Sequence, residues 1–447
     1  MRRGCGRAAM VVLGLATAVP AASAQIGSPA GPVPVERLVA RRAALLDSIG
    51  TGIAVLRSAT QRSVEGDYPQ DSDYRERNDF FYLTGLEAPG AWLVLVARAQ
   101  GGDETVLYLP PRDPDTERWS GPRLGPGEEA SRVTGTRDIR PADSAAAQVK
   151  RLVLAPQSPA RSGGLYLPED RARTPAEPLD GVLAPSDTAG TGIAIQPLGR
   201  ETAALRLVKD ADELARLRKA IDITTASLID AWREVRPGMM EYELEALIEF
   251  GFRRRGAERV GFPSIVGAGP NATILHYDRS RGRLEAGDLV VTDVGAEYGY
   301  YSADVTRTAP VSGRFTPRQR ELYELVRATQ QAAIDSARPG MTVAGLNRLA
   351  RRFMAANSGD LCGEVTCDTY WTHGLSHWLG MDVHDVGDYE TPLLPGMVLT
   401  IEPGIYIPAE RIGIRIEDAV LVTRGAAEVL SAAAPRAPDE IERAMSP

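Results

Sequence analysis

Histidine is scarce in this sequence. The chain of 447 residues contains only four histidines, and all of them lie between His276 and His384. Residues 33–195 therefore lack the commonest general base of enzymes, and they show neither a nucleophile motif nor a phosphate-binding loop. One histidine alone is more often structural than functional, but four in one segment favour chemistry in that segment.

Long apolar runs are missing beyond the start of the chain. Residues 1–24 have the composition of a secretory signal peptide, with three early arginines, an apolar run at 8–18 and the small residues Ala22-Ser23-Ala24. That run is too short for a comfortable membrane span, so cleavage is favoured over an anchor or a disordered tail. The mature protein is predicted to be exported, to the periplasm or the medium, without a membrane span.

Cysteine is also rare, with only Cys5, Cys362 and Cys367. Cys5 would leave with the signal peptide. Four residues separate the other two, and in an exported protein this spacing favours a local disulfide. A metal site is less favoured because no other cysteine could complete it, and two buried free thiols remain an alternative.

Positive charge is in deficit. The formal net charge is −8, and removal of the three arginines of residues 1–24 makes it −11. Such a balance argues against nucleic acid as a partner, and the spread of the acidic residues describes a solvated surface. A hydrophobic content of 43% over this length allows a large core and predicts two domains.

Alternating helical and strand patterns predict an α/β first domain over residues 33–195. The pattern is carried by four stretches: 35–48, 52–56, 91–96 and 105–109. Gly, Thr, Ala and Ser dominate 186–196, which places the boundary near there. The second domain, 205–440, opens with an amphipathic helical stripe at 209–232.

The second domain contains an internal repeat. The letters RPGM occur at 236–239 and again at 338–341, each time between two helical patterns. A glycine then precedes an acidic residue by six positions in both halves, at Gly287 and Asp293 and at Gly396 and Glu402. We expect two related halves, each made of two helices, strands and an acidic hairpin.

The first acidic hairpin contains Asp293 and Asp304. The midpoint between them lies between Tyr298 and Gly299, a suitable place for a tight turn. A hairpin closed there would place the two aspartates directly opposite each other, with Cβ atoms about 5 Å apart. Two carboxylates this close repel each other unless a proton or a cation lies between them.

The second acidic hairpin contains Glu402 and Glu417, whose midpoint lies between Ala409 and Glu410. The four carboxylates and at least one histidine would then converge. This negative charge is too great for one cation and suits two. One imidazole with four carboxylates is oxygen-rich, which favours Mn²⁺ or Co²⁺, with Zn²⁺ as a substitute. The expected reaction is metal-assisted hydrolysis of an amide.

His373 and His377 have the spacing of a zinc-binding helix, but the glutamate of the H-E-x-x-H motif is missing. The region 375–386 contains a glycine and is predicted as strand and turn.

Several motifs resemble those of the aminopeptidase P and prolidase family, the pita-bread metallopeptidases. They are HGLSHWLGMDVHDVG at 373–387, EPGIY at 402–406 and GIRIED at 413–418, together with the eleven-residue spacing of Asp293 and Asp304. NDFFYLTGL at 78–86 and RDPDTERW at 112–119 resemble the amino-terminal domain of aminopeptidase P. The resemblance implies an α/β, creatinase-like first domain. The second would be a pita-bread domain with pseudo-twofold halves around a curved antiparallel sheet.

The resemblance also implies a set of five metal ligands. Asp293 would bind one ion, while Asp304 and Glu417 would bridge both. His377 and Glu402 would hold the other ion, and Glu402 would transfer the proton as the catalytic base.

Further side chains would bind the substrate. His276 and His384 would act as catalytic residues that contact the substrate carbonyls and the developing oxyanion. His373 and Tyr406 would line the pocket for the residue after the scissile bond, and Arg415 would orient ligand carboxylates.

The activity implied is that of an exported, dinuclear Xaa-Pro aminopeptidase, which acts on peptides with proline at position two. A prolidase restricted to dipeptides is the nearest alternative, and a metal-free, creatinase-like binding protein is another. A methionine aminopeptidase is disfavoured because it usually lacks a large first domain. The family also implies a homo-oligomer, a dimer or tetramer, in which Trp119 reaches a neighbouring subunit or only packs. The loop at 407–412 is expected to be short, and an insertion-like stretch at 357–372 could cover the site.

Overall fold

The computed structural model describes residues 30–60, 74–168, 182–183 and 185–446. The predicted signal peptide lies outside these residues. Within these ranges, no helix combines the length and hydrophobicity that crossing a membrane requires.

The first domain is built on a mixed sheet. Its strands in the described residues are β1 (Gly52–Arg57), β2 (Trp92–Ala97), β3 (Glu104–Leu109), β4 (Asp138–Pro141), β5 (Leu165–Leu167) and β6 (Ile195–Pro197). Their order is β4-β3-β2-β1-β5-β6. The three central strands pair antiparallel, and the outer pairs are parallel. The strands predicted at 52–56, 91–96 and 105–109 are confirmed.

Helices cover this sheet. They are α1 (Val35–Ile49), α2 (Asn78–Thr84), α3 (Pro114–Ser120), α4 (Glu128–Thr134), α5 (Ala145–Leu154), α6 (Ala160–Gly163) and α7 (Pro185–Thr188). Alternate residues of the sheet face two hydrophobic clusters, one shared with α1 and α2 and the other with α5. Helices therefore cover both faces of the sheet, as the α/β pattern predicts.

The second domain contains longer helices and antiparallel strands. The helices are α8 (Gly199–Leu207), α9 (Ala211–Trp232), α10 (Glu241–Arg254), α11 (Pro317–Ser336), α12 (Val343–Ala356) and α13 (Pro438–Ala444). The strands of the first half are β7 (Arg259–Val260), β8 (Ile265–Ala268), β9 (Leu289–Val294), β10 (Ala296–Tyr298), β11 (Tyr301–Ser302) and β12 (Val305–Pro310). Those of the second half are β13 (Val398–Ile401), β14 (Gly404–Ile407), β15 (Ile412–Arg415), β16 (Asp418–Leu421) and β17 (Glu428–Val429). The predicted combination of an α/β first domain and a pita-bread second domain is confirmed, while the boundaries 33–195 and 205–440 stay predictions.

The two halves of the second domain have equivalent backbone hydrogen bonds as well as similar sequences. In the first half, Gly238 N–H donates to Leu284 O at 2.8 Å, and Leu284 N–H donates to Met239 O at 2.8 Å. In the second half, the equivalent bonds are from Gly340 to Leu393 O at 3.0 Å and from Leu393 to Met341 O at 2.7 Å. Helices α9 and α11, which occupy equivalent places, each begin with a capping box. The repeat is therefore structural.

The second acidic hairpin has the predicted register. Ile401 pairs with Asp418 and Gly404 with Arg415, so Glu402 stands opposite Glu417. The connection between β14 and β15 is short, as expected.

The turn of the first acidic hairpin lies one residue later in the chain than predicted. Tyr298 pairs with Tyr301, so Gly299 and Tyr300 form the turn, and both have positive φ, 60° and 72°. Asp293 consequently faces Thr306 and not Asp304. Asp304 precedes Thr306 by two residues and so lies on the same face, diagonal to Asp293.

Packing between the domains explains this turn, because a non-glycine residue rarely adopts positive φ. The ring of Tyr300 stacks on Phe81 of the first domain with ring centroids 3.7 Å apart. Its hydroxyl donates to Glu87 at 2.5 Å and accepts from the backbone N–H of Glu76 at 3.0 Å. These contacts, which a sequence pattern does not contain, hold Tyr300 in its unfavourable conformation.

The stretch at 357–372 contains the expected disulfide. Cys362 and Cys367 are bonded, with Cα atoms 5.3 Å apart. The segment 375–386 is not helical, as predicted, but it is irregular except for a single bridge between Trp378 and Leu399.

Candidate metal centre

The two acidic hairpins bring their carboxylates to His377. Its Nε2 atom lies 3.3 Å from Asp304 Oδ2, 3.4 Å from Glu402 Oε1 and 3.8 Å from Glu417 Oε1. The other ring nitrogen, Nδ1, lies 3.0 Å from Trp378 O. Because a carbonyl can only accept, Nδ1 carries a hydrogen, and Nε2 is the ring nitrogen that faces the carboxylates.

Burial and mutual repulsion act on these acids. The pKa of Asp304 is raised well above its usual value, by burial first and then by the charges of Glu417 and Asp293. The pKa of Glu402 is also raised, by burial first and then by the charge of Glu417. The pKa of Glu417 is raised by burial first and then by the charge of Asp293. The cluster thus carries more negative charge than the protein neutralises.

The donor set fits a divalent cation. Asp293 Oδ1, Asp304 Oδ1 and Glu417 Oε1 are buried and receive no hydrogen bond from the described part of the chain. Ligand atoms of Asp304, His377 and Glu417 lie within 4.8 Å of one another. Buried carboxylate oxygens without donors, beside an imidazole nitrogen, match the ligands that transition-metal dications prefer.

Arg415 connects the two acidic hairpins through hydrogen bonds. Its Nη2 donates to Asp293 Oδ2 at 2.6 Å, and its Nη1 donates to the hydroxyl of Tyr406 at 2.9 Å. Its Nε donates to Thr306 Oγ1 at 3.2 Å, and that hydroxyl donates to Glu417 Oε2 at 2.6 Å. Arg415 thereby contacts Asp293 directly and Glu417 through Thr306, while its role in orienting metal ligands stays a prediction.

Sequence reasoning missed Thr306 and Thr400. The hydroxyl of Thr400 donates to Glu402 Oε1 at 3.2 Å and accepts from the backbone N–H of His377 at 3.1 Å. Each threonine lies two residues from an acidic ligand and so on the same face of its strand. That spacing is a signal that the sequence already contained.

His373 is held as a neutral imidazole. Its pKa is lowered to about 3, by burial first and then by the charge of Arg415. Nδ1 donates to Gly374 O at 2.7 Å, and Nε2 lies 2.8 Å from the hydroxyl of Tyr406. Tyr406, whose pKa burial raises to about 12, therefore donates to Nε2 while accepting from Arg415.

A cavity of about 620 Å³ opens over the acids, within the usual size range of ligand sites. All four histidines line it, and the His384 ring lies 4.2 Å from the ring of His377. Apolar side chains form the remaining wall: Phe262, Pro263, Ile265, Leu275, Val383 and Tyr389. The structure thus brings together at or beside one cavity every site residue named from the sequence.

Comparisons with known proteins agree with this site. Residues 215–424 match the model of metallopeptidase family M24, and residues 38–158 match that of the aminopeptidase P N-terminal domain. The Xaa-Pro aminopeptidase of Escherichia coli (strain K12) is 37% identical over 91% of this chain and 96% of its own.

Two solved structures extend the comparison. Proline aminopeptidase P II from Yersinia pestis has a TM-score of 0.80 at 34% identity, over 92% of this chain and 99% of that one. Zn-substituted E. coli aminopeptidase P in complex with product has a TM-score of 0.80 at 32% identity, over 93% and 99%. With such matches over both domains and a site that fits divalent metal, the chain belongs to metallopeptidase family M24 and is a metalloaminopeptidase with an aminopeptidase P amino-terminal domain.

Proposed function

We propose that this protein is an exported Xaa-Pro aminopeptidase that uses two divalent metal ions to release the first residue of peptides with proline at position two. The observation that carries the proposal is the convergence of the buried carboxylates of Asp293, Asp304 and Glu417, the partly buried carboxylate of Glu402 and the His377 imidazole at one cavity. All four histidines border this cavity. The relatives with the same architecture bear the names Xaa-Pro aminopeptidase and aminopeptidase P.

The five proposed ligands are Asp293, Asp304, His377, Glu402 and Glu417. Three of them have buried oxygens without a hydrogen-bond donor in the described residues, which supports binding of two metal ions and not of one. When bound, the ions would lower the pKa of water and polarise the substrate carbonyl. The oxygen-rich set favours Mn²⁺, with Co²⁺ or Zn²⁺ as alternatives.

Glu402 is the proposed proton-transferring base. In the metal-free protein, burial and the neighbouring charge of Glu417 raise its pKa, so Glu402 takes up a proton more readily than an exposed glutamate does. The hydroxyl of Thr400 holds its Oε1. His276 and His384 would donate to the substrate carbonyls and to the negative charge that develops on the scissile oxygen.

The pocket after the scissile bond would be formed by His373 and Tyr406. Proline has no N–H and a fixed φ, so it is recognised by shape and not by a backbone donor. The neutral state of His373 suits contact with an apolar pyrrolidine ring, since an unpaired imidazolium would require solvation.

Peptide length separates an aminopeptidase from a prolidase. Metal-loaded protein should release the first residue of Arg-Pro-Pro-type peptides and leave the matched Arg-Ala-Pro peptides largely intact. Hydrolysis of Gly-Pro alone would select the prolidase, and hydrolysis of neither would reject the proposal.

Elemental analysis should find two ions per subunit. Asp304→Asn should lower turnover by at least about two orders of magnitude.

We also propose export and self-association. The signal-like composition of residues 1–24 and the Cys362–Cys367 disulfide support an oxidising compartment. Amino-terminal sequencing of the mature protein should begin at Gln25.

Trp119, 93% exposed on α3, supports contact with a second subunit in a dimer or tetramer. Trp119→Ala should then increase dissociation in analytical ultracentrifugation.

A further inference from the structure

His384 lies on a segment that has no regular secondary structure. Its side chain is exposed, and the residues around it form bends between Leu379 and Gly387. The start of the segment is held by bonds from Leu379 N–H to Val398 O at 3.1 Å and from Ser302 N–H to Gly380 O at 2.9 Å. Nearer His384, Gly380 N–H donates to Asp382 O at 3.2 Å, and Asp385 N–H donates to Trp378 O at 2.9 Å. The anchoring of the neighbouring side chains therefore contributes to the position of the imidazole, beside its ring contact with His377.

A single guanidinium anchors the acids on both sides of His384. Arg206 Nη2 donates to Asp385 Oδ1 at 2.5 Å and to Asp382 Oδ2 at 2.9 Å. The second oxygen of Asp385 accepts from Lys209 Nζ at 3.2 Å. The Arg206, Lys209 and Asp385 side chains are each no more than 3% exposed.

The same arginine reaches the first domain. It lies on α8, before the first long helix of the second domain, and its Nη1 donates to Asp79 Oδ1 of α2 at 2.8 Å. Buried ion clusters of this kind are often no more stabilising than apolar side chains of similar volume. Their geometric effect is more specific, because a planar guanidinium fixes the directions of several carboxylates at once.

We propose that Arg206 is a positioning residue for His384, through which the first domain fixes the imidazole over the metal centre. The inference rests on the proposed role of His384 at the substrate carbonyl. A lysine at position 206 keeps the positive charge but lacks the planar array of guanidinium N–H donors. It could therefore not hold Asp79, Asp382 and Asp385 in the same directions.

The first test measures kinetics of the full-length, metal-loaded protein. Arg206→Lys should lower kcat about 10- to 100-fold with little change in KM, because misplacement of a group acts mainly in the transition state. Arg41→Lys is the matched control: Arg41 is also buried and also joins the domains, through Asp210 and Glu213. It does not contact the His384 segment in the described structure, so folded Arg41→Lys protein should retain kcat.

The second test separates positioning from general stability. In a His384→Ala background, Arg206→Lys should cause almost no further loss of kcat, since the group it positions is already gone. Arg206 also lines a cavity of about 920 Å³ between the domains, so guanidinium ion added at millimolar concentration should partly restore the activity of Arg206→Ala. An equal loss in both backgrounds, or no rescue, would overturn the proposal.

A third measurement does not depend on activity. The sequence contains four histidines, so protein labelled at histidine Cε1 should give four assignable NMR signals without metal. Arg206→Lys should shift or broaden the His384 signal, with His377 affected through ring contact, and leave His276 in place. An unchanged His384 signal would refute the inference. An inactive wild-type protein that still shows this shift would refute the proposed function alone.

Discussion

Metal-free Asp304→Asn should be more stable than the metal-free wild-type protein, although it should lose activity. Ligand atoms of Asp304 and Glu417 lie within 4.8 Å of one another. Two unit charges at that upper limit of their separation repel by about 3.5 kcal/mol if the effective dielectric constant is about 20. Partial protonation relieves some of this repulsion, so we expect a gain of about 1 to 3 kcal/mol at pH 8.

The pH dependence of unfolding gives the sign of this effect. The folded state raises the pKa of Asp304, Glu402 and Glu417, so it binds protons more tightly than the unfolded chain does. The stabilisation from these groups is fully present below the ordinary carboxyl pKa and is lost as pH rises through the raised values. The free energy of unfolding of metal-free wild-type protein should therefore fall, relative to that of Asp304→Asn, as pH rises above the ordinary carboxyl pKa.

Urea unfolding in the presence of a chelator measures this difference. Comparing the two proteins cancels the opposite contribution of His373, whose lowered pKa makes stability rise with pH below its unfolded value. Adding Mn²⁺ should stabilise the wild type far more than the variant, because ligand binding to the folded state adds stability. A metal-free Asp304→Asn that is less stable than the wild type at pH 8 would refute the reasoning.

Asp385→Asn is the matched control for this experiment. Asp385 is also buried, but Arg206 and Lys209 hold its pKa below the usual range against the opposing effect of burial. Removing its charge takes from buried Lys209 the carboxylate with which it pairs, and leaves Arg206 with Asp79 and Asp382 among the described residues. This loss should cost about 3 to 5 kcal/mol. The two substitutions, although chemically identical, should thus change the free energy of unfolding in opposite directions.

Three further predictions follow from named contacts. Thr306→Val removes the hydroxyl between Arg415 and Glu417, and should weaken metal affinity about 10- to 100-fold in a chelator competition assay. Tyr406→Phe removes the hydroxyl that holds His373, and should lower kcat/KM for Xaa-Pro peptides about tenfold while leaving the circular dichroism spectrum unchanged; wild-type kinetics would contradict this role. Replacing both disulfide cysteines by serine should lower the free energy of unfolding by about 2 kcal/mol, as chain entropy predicts for so short a loop, and an unchanged urea midpoint would contradict it.

Local patterns were sufficient where the responsible interactions are local. The β-formers of the first domain predicted its central strands, and the repeated RPGM letters predicted two halves whose backbone hydrogen bonds are indeed equivalent. The register of Glu402 and Glu417 was also correct, because a short loop of turn-forming residues leaves few ways to pair β14 with β15.

The first hairpin shows where local reasoning fails. Turn chemistry favours glycine at positive φ, yet Tyr300 takes the second turn position because Phe81 stacks on its ring and Glu87 and Glu76 bond its hydroxyl. Those partners lie more than two hundred residues away along the chain. The energy that selects this register comes from the contact between domains, which the hairpin's own letters do not contain.

The order and chemical type of the candidate metal ligands could be read from the sequence, since four carboxylates and one imidazole at these spacings fit a cation centre. Three-dimensional packing sets which carboxylate oxygens lack a donor among the described residues, and it brings Thr306 and Thr400 into hydrogen bonds with the acids. It also lets Arg206 join Asp79 to the acids beside His384. The sequence specifies the identity of each residue but not which distant residues come into contact. Distances between distant segments arise from packing, and burial and charge act through those distances.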